Sequence, residues 1–332
     1  MVKADCFRLR LDQSRLLHQF VAYYLSSESA RSEISLQIRG ATRDRINLSG
    51  IAAVRVPIPS ISEQTQLVEL LDNKTAQIDA LIGKKQRQIE LLQEKRQALI
   101  SQAVTKGFDP SVPMIDSGFV WLGTIPRHWK VRSFKYCGRI PNGQVDPEVD
   151  PYKSMILIAP NHIESETGRL LQTETAEEQA AESGKYIGRA NDVIYSKIRP
   201  ELQKACIAPY DCLCSADMYP ITPQPDMESK YILYNLLCDW FTKYAVLWSD
   251  RVAMPKINRE TLGTCMMMVP PIEEQRQIIR YIEHETQLID SISERVHYQV
   301  GKLREYRQAL ITAAVTGKID VNAVESATGS VP

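Results

Sequence analysis

Arg96-Gln97-Ala98-Leu99-Ile100-Ser101-Gln102-Ala103-Val104-Thr105 returns 211 residues later as Arg307-Gln308-Ala309-Leu310-Ile311-Thr312-Ala313-Ala314-Val315-Thr316. The same offset carries Ile46-Asn47 onto Ile257-Asn258, Glu63-Gln64 onto Glu274-Gln275 and Ile78-Asp79 onto Ile289-Asp290, with no gap. A register held over that distance marks a duplication of whole domains, not a solenoid of short repeats. Upstream, Phe20, Tyr23 and Leu25 map onto Tyr231, Tyr234 and Leu236, and with one residue of slip Lys3-Ala4-Asp5-Cys6-Phe7 maps onto Ser215-Ala216-Asp217-Met218-Tyr219. There the first copy meets Met1, whereas Met114 to Cys214 still precede the second. Residues 1–60 are therefore expected to hold only the rear part of the repeated domain.

Each copy ends in a long helical pattern. From Ser62 to about Lys106 the apolar residues Leu67, Leu71, Ile78, Leu81, Ile89, Leu92 and Leu99 recur at helical spacing, with charged and amide side chains between them. Ser62 is the expected N-cap and Gly107 the expected stop. The second copy, about Glu273 to Thr316, carries Ile278, Ile282, Ile289, Ile292, Val296, Val300, Leu303 and Leu310. A helix of such length, roughly 65 Å at 1.5 Å per residue, would leave its stripe wet if alone. Two matching stripes in one chain predict an antiparallel coiled-coil pair. Before each helix, Val54-Arg55-Val56-Pro57-Ile58-Pro59 and Met266-Met267-Met268-Val269-Pro270-Pro271 read as a final strand and a rigid elbow. Between the helices, strand-like runs at Ser154–Ile158, Asp192–Tyr195 and Ala205–Ala208 and a helix near Lys230–Tyr244 indicate an α+β domain. The expected boundaries are 1–60, 61–107 (first helix), 108–271 (complete mixed α/β domain), 272–318 (second helix) and 319–332 (tail).

The chain has 332 residues, an apolar fraction of 44%, and 40 basic residues against 40 acidic ones. Zero net charge does not favour a nucleic-acid partner, yet the field of a single face is what matters. The seven cysteines lack metal-ligand spacing and read as free thiols of a reducing cytoplasm. No signal peptide and no long apolar run are seen, so a soluble protein away from membranes is expected. No cofactor is indicated: there is no phosphate-binding loop, and Val269-Pro270-Pro271-Ile272 lacks the polar head and aromatic tail of a DNA-methyltransferase motif. Asp217 with Glu228-Ser229-Lys230 mimics the acid and acid-x-lysine spacing of metal-dependent nucleases, but the repeat puts Leu17 and Gln19 at the positions of Glu228 and Lys230. The five histidines are dispersed and suggest neither a metal site nor a triad.

Nucleic-acid contact has more to work with. After the strand Val193-Ile194-Tyr195 come Ser196, Lys197, Arg199 and Lys204 around Pro200, small donors and cations that suit phosphate oxygens, with arginine able to fork onto guanine. An ordinary solvated loop has the same composition. A second candidate loop precedes each final strand: Gly40 to Arg45, with Arg43 and Arg45, and Ser249 to Lys256, with Arg251 and Lys256. The shared scaffold with differing loops is what two readers of two different sequences would show.

Asp116-Ser117-Gly118-Phe119-Val120-Trp121-Leu122-Gly123-Thr124-Ile125-Pro126-Arg127-His128-Trp129 closely resembles the opening of a target-recognition domain in type I restriction–modification specificity subunits. Asp192 to Pro200 resembles the middle of that domain. Pro59 to Gln64, Pro270 to Gln275 and the Arg-Gln-Ala-Leu-Ile…Ala-Val-Thr endings resemble its helical spacers. The resemblance implies two target-recognition domains that each read half of a gapped double-stranded DNA site. It implies spacer helices that dock adenine methyltransferase (M) subunits, and restriction (R) subunits joining through the complex. It implies no catalysis by the chain itself, and it turns Lys197, Arg199 and Lys204 toward DNA. The short first domain departs from the family pattern. Three readings stand: a truncated product, a front half encoded separately, or self-association that restores two intact ends. A different class of function also stands, a coiled-coil scaffold that binds the methyltransferase without productive recognition.

Overall fold

The computed structural model describes residues 6–37, 46–119, 122–249 and 255–319. The helices are α1 (His18–Ser26), α2 (Glu28–Leu36), α3 (Leu48–Ala52), α4 (Ile61–Lys106), α5 (Ser229–Leu236), α6 (Asp239–Leu247), α7 (Arg259–Thr264) and α8 (Ile272–Val315). The strands are β1 (Met114–Asp116), β2 (Thr124–Pro126), β3 (Lys130–Ser133), β4 (Gly138–Arg139), β5 (Ile156–Ile158), β6 (Glu174–Thr175), β7 (Tyr186–Gly188), β8 (Val193–Ser196), β9 (Ala205–Ile207), β10 (Cys212–Cys214), β11 (Met218–Pro223) and β12 (Met266–Val269). Two compact units form, Met1–Glu90 with Ile292–Pro332, and Leu91–Ser291, so the boundary falls inside both long helices. Among the described residues no helix is long and apolar enough to cross a membrane.

The second unit is α+β. One four-stranded sheet runs β4-β11-β8-β9, a second β6-β5-β10-β7, and two antiparallel pairs, β1-β2 and β12-β3, complete it. β8 is buried along its whole length, as its unbroken apolar run requires of a strand covered on both faces. Helices α5 and α6 bury Tyr231, Ile232, Leu236 and Phe241 in one core with Tyr195, Ile221 and Met268. The same core takes Ile100, Ala103 and Val104 of α4 and Ile278, Ile279 and Ile282 of α8. Full burial of side chains of this size stabilises by about 1.5–3 kcal/mol each. The first unit packs Phe20, Val21, Tyr24 and Ala30 onto Leu67, Val68 and Leu71 of α4 and Ile311, Ala314 and Val315 of α8. Among its described residues it contains helices and no strand.

The duplication persists at the level of single hydrogen bonds. Gln64 and Gln275 are both fully buried. Gln64 donates to the carbonyls of Arg15 and Pro59 and accepts from the Leu17 N–H. Gln275 donates to those of Asp226 and Pro270 and accepts from the Glu228 N–H. Each partner lies at the repeat offset from its counterpart. Asn47 caps α3 through the Gly50 N–H, and Asn258 caps α7 through the Thr261 N–H. The Glu28 N–H donates to the Thr312 hydroxyl in the first unit, and the Asp239 N–H to the Ser101 hydroxyl in the second.

Within each unit an ion pair at matching positions joins the two long helices. Arg307 bridges to Asp79 at 2.9 Å, and Arg96 bridges to Asp290. Buried Thr75 and Thr286 each return their hydroxyl to the carbonyl four residues back, to Leu71 and Ile282.

Several expectations need correction. Helix α4 starts at Ile61, and the Ser60 hydroxyl, not Ser62, accepts the Glu63 N–H at 3.2 Å. Leu81 and Ile292, counted in the buried stripes and related by the repeat, are each 43% exposed. The stretch Val54–Pro59 is not a strand, because no described residue of its unit offers it a ladder, whereas Met266–Val269 pairs with Lys130–Ser133. The helix expected over Lys230–Tyr244 is two, broken at Leu237–Cys238. The strand expected from Ser154 starts at Ile156, after a 3-10 turn over Tyr152–Ser154. Helix α4 does end at Lys106, where Gly107 takes φ +75° and its N–H reaches the Ala103 carbonyl.

Candidate nucleic-acid interface

The candidate cations leave the buried strand β8 on a loop whose backbone is tied at nearly every residue. The Lys197 N–H donates to the Asp217 carbonyl at 3.0 Å, and the Lys197 carbonyl accepts the Ile257 N–H at 2.9 Å. Ile198 bridges Lys256, and the Arg199 N–H donates to the Pro255 carbonyl at 2.9 Å. Arg199 and Gln203 flank the turn Pro200–Leu202 and both sit in the left-handed region, at φ 48° and 47°. For residues with a Cβ that conformation costs about 1–2 kcal/mol each. The bonds on either side hold the strain in place, and strain held this way concentrates at functional loops.

These ties hold the backbone of Lys197 and Arg199 beside Pro255–Ile257, and Lys256 lies close enough to Lys197 to act on its charge. Arg199 and Lys256 are exposed, and neither makes an ion pair among the described residues. The Lys197 ammonium is half-buried over the Tyr219 ring, 5.1 Å from its centroid. Burial holds its pKa below the usual lysine value; Lys256 and Arg259 push the same way, and Asp217 opposes them. An unneutralised, partly desolvated cation gains most from an incoming anion such as a phosphate.

The other candidates are placed differently. Ser196 is buried and its hydroxyl donates to the Ile198 carbonyl at 3.1 Å, so it shapes the loop and does not meet solvent. Lys204 is half-buried, and its ammonium donates to the Pro160 carbonyl at 2.7 Å. Arg43, Arg45 and Arg251 lie outside the described residues. The residues that sequence reasoning missed are Arg259 and the role of Tyr219. The Arg259 guanidinium lies 5.7 Å from the Tyr219 centroid. It also donates to the carbonyls of Ile140 and Pro141 and to the side chain of Asn142, pinning that loop beside the cations. Its position after the cap Asn258 gave no hint of this, since the partners are distant in sequence.

Two of the residues that mimicked a nuclease, Glu228 and Lys230, serve structural pairs. Glu228 pairs with Arg276 at 2.7 Å, and Lys230 pairs with Glu283. Among the described residues no cluster of three acidic, histidine or cysteine side chains could hold a metal ion.

The family described as the type I restriction modification DNA specificity domain matches residues 1–91 and again 133–297, once per copy of the repeat. The EcoDI specificity subunit of Escherichia coli is 31% identical over 296 residues, 85% of this chain and 66% of that protein. The EcoKI specificity subunit of Escherichia coli (strain K12) is 20% identical over 90% of this chain and 65% of that protein. The chain thus spans about two-thirds of the length of these relatives. Among solved structures, a chain from work on the assembly and conformational transition of the type I R-M system superposes with a TM-score of 0.70. It is 14% identical and covers 92% of this chain and 73% of its own. The HsdS subunit of Thermoanaerobacter tengcongensis gives 0.51 at 15% identity, covering 94% and 73%. Both support the α+β fold with its long helices. The chain belongs to the family of type I restriction modification DNA specificity domains.

Proposed function

We propose that this chain is a DNA-specificity subunit of a type I restriction–modification complex. Its recognition domain, residues 108–271, reads one half of a gapped double-stranded site, and the helices at 61–107 and 272–318 hold methyltransferase subunits. Restriction subunits join through that complex, and the chain contributes binding, not catalysis. The observation that carries this reading is the strained, backbone-tied loop that carries Lys197 and Arg199 beside Lys256 in a chain of this family. Phosphate contacts there would set the register, and neighbouring side chains would read base edges. For the methyltransferase, the helices offer a groove of about 500 Å³ lined by Leu81, Lys85, Tyr298, Lys302, Leu303 and Tyr306.

Lys197→Ala combined with Arg199→Ala tests the reading. Specific DNA binding should be lost while the variant still co-purifies with its methyltransferase. Unchanged affinity would remove these residues from the interface.

A further inference from the structure

Phosphate contacts fix a protein's register on DNA, and contacts to base edges carry the sequence. Amide side chains suited to the second task stand one contact away from the candidate cations. Lys197 and Arg259 share the Tyr219 ring, at 5.1 and 5.7 Å from its centroid, and Arg259 is close enough to Lys197 to act on its charge. The Arg259 guanidinium also holds the start of the segment 140–144. It donates to the carbonyls of Ile140 at 3.3 Å and Pro141 at 3.0 Å, and to the side-chain oxygen of Asn142. The far end is fixed as well: Val145 and Lys185 exchange both backbone hydrogen bonds, at 2.8 and 3.0 Å.

Between these anchors stand Asn142, Gly143 and Gln144, all exposed. Gly143 takes φ +88° with open space where a Cβ would sit, so this glycine serves the turn and not packing. Arginine has only donors, so the Asn142 oxygen must face it. That leaves the two amide N–H donors and an oxygen lone pair of Asn142 open, and they have no partner among the described residues. The Gln144 amide makes no hydrogen bond among the described residues. Its side chain lies on Gly184, where an added Cβ would come within 2.9 Å of the amide oxygen and 3.2 Å of the Gln144 Cβ. Asp146, the next acid along the segment, is turned onto the Glu148 N–H at 3.0 Å. An amide that offers an oxygen beside an N–H donor matches N6 and N7 of adenine in the major groove. Holding it on a loop tied at both ends lowers the ordering cost of that contact.

We propose that Asn142 and Gln144 are specificity-determining side chains that read A·T pairs through adenine N6 and N7, with Arg259 as the positioning residue that aims Asn142. This rests on the DNA-specificity reading above and names the side chains that read bases in it. Lys197 and Arg199 set affinity and its salt dependence, and Asn142 and Gln144 set which bases are required.

The test selects bound duplexes from a random-sequence pool, using the full chain in complex with its methyltransferase subunit. Asn142→Ala and Gln144→Ala should each relax the requirement at one A·T pair by about tenfold or more, with the other bases of the motif and the slope of log affinity against log salt unchanged. Asn142→Asp keeps an acceptor for Arg259, and so keeps the loop held, but removes both amide donors. It should move the preference at that pair from A·T toward C·G, because a carboxylate accepts from cytosine N4. Arg259→Met should relax the same pair as Asn142→Ala, and combining the two should add nothing further. A merely structural role would weaken binding to every sequence alike. A motif that stays equally strict in Asn142→Ala, Asn142→Asp and Gln144→Ala, or that weakens uniformly, overturns this proposal and leaves the underlying reading standing. A wild-type complex that selects no motif overturns both.

Discussion

Replacing Gln275 by methionine removes hydrogen bonding while nearly preserving length and helix propensity. In the folded chain the Gln275 amide makes bonds of 3.0 Å to the Asp226 and Pro270 carbonyls and to the Glu228 N–H, in a fully buried position. Methionine leaves those three backbone groups without that partner, at about 1–3 kcal/mol for each one left unsatisfied. Part of this is offset because a thioether is cheaper to bury than an amide. The net loss should be roughly 3–5 kcal/mol. Gln64→Met should cost about as much, since its bonds to Arg15, Leu17 and Pro59 match one for one. Native-state hydrogen exchange is the suitable assay, because a chain of two units need not unfold in one step. Gln275→Met should accelerate exchange at Glu228, and Gln64→Met at Leu17. A loss below about 1 kcal/mol at either site would refute the idea that these amides lock the final helix of each copy to its domain.

Further outcomes follow from the same structure. If Lys197 and Arg199 contact phosphates, their double alanine variant should flatten the dependence of log affinity on log salt by roughly 2 units, at about 0.9 per contact. Titrating affinity against salt checks this, and an unchanged slope would argue against phosphate contact. Of the seven cysteines only Cys6 is exposed, and burial pushes Cys137 up to about 11 and Cys206 and Cys212 up to about 12. A thiol reagent at pH 8 should therefore label one site rapidly in the native protein and the rest only on unfolding. Burial raises the Glu164 pKa, but hydrogen bonds from Arg169 and Thr167 outweigh it and hold the carboxyl below its ordinary value. Its stabilisation is present above the unfolded carboxyl pKa and is lost as pH falls through the folded one. Glu164→Gln should flatten the acid limb of stability, seen by thermal unfolding between pH 6 and 3.

What could be read from the sequence was what local physics decides. Helix periodicity lies within a few residues of its consequences, so the two long helices follow directly. The repeat added long-range information, because whatever one copy does the other tends to do. It could not reveal asymmetry in cover. Val54–Pro59 has strand composition, but a strand exists only with a partner, and none is described in its unit. Leu81 and Ile292 fit the apolar period, yet which turns of a long helix are covered depends on the neighbouring element. In the candidate interface the residue types after β8 were legible. Ser196 facing inward, Lys204 held by Pro160, and Arg259 pinning the 140–142 loop all depend on contacts far apart in sequence.

The most direct test of DNA-specificity function is to co-express the chain with a cognate methyltransferase subunit and map methylated adenines across the host genome. The reading predicts a gapped motif, and loss of that motif in the Lys197→Ala, Arg199→Ala variant with the protein complex intact. A stable complex that methylates no defined motif, or one whose motif is indifferent to both substitutions, would contradict it.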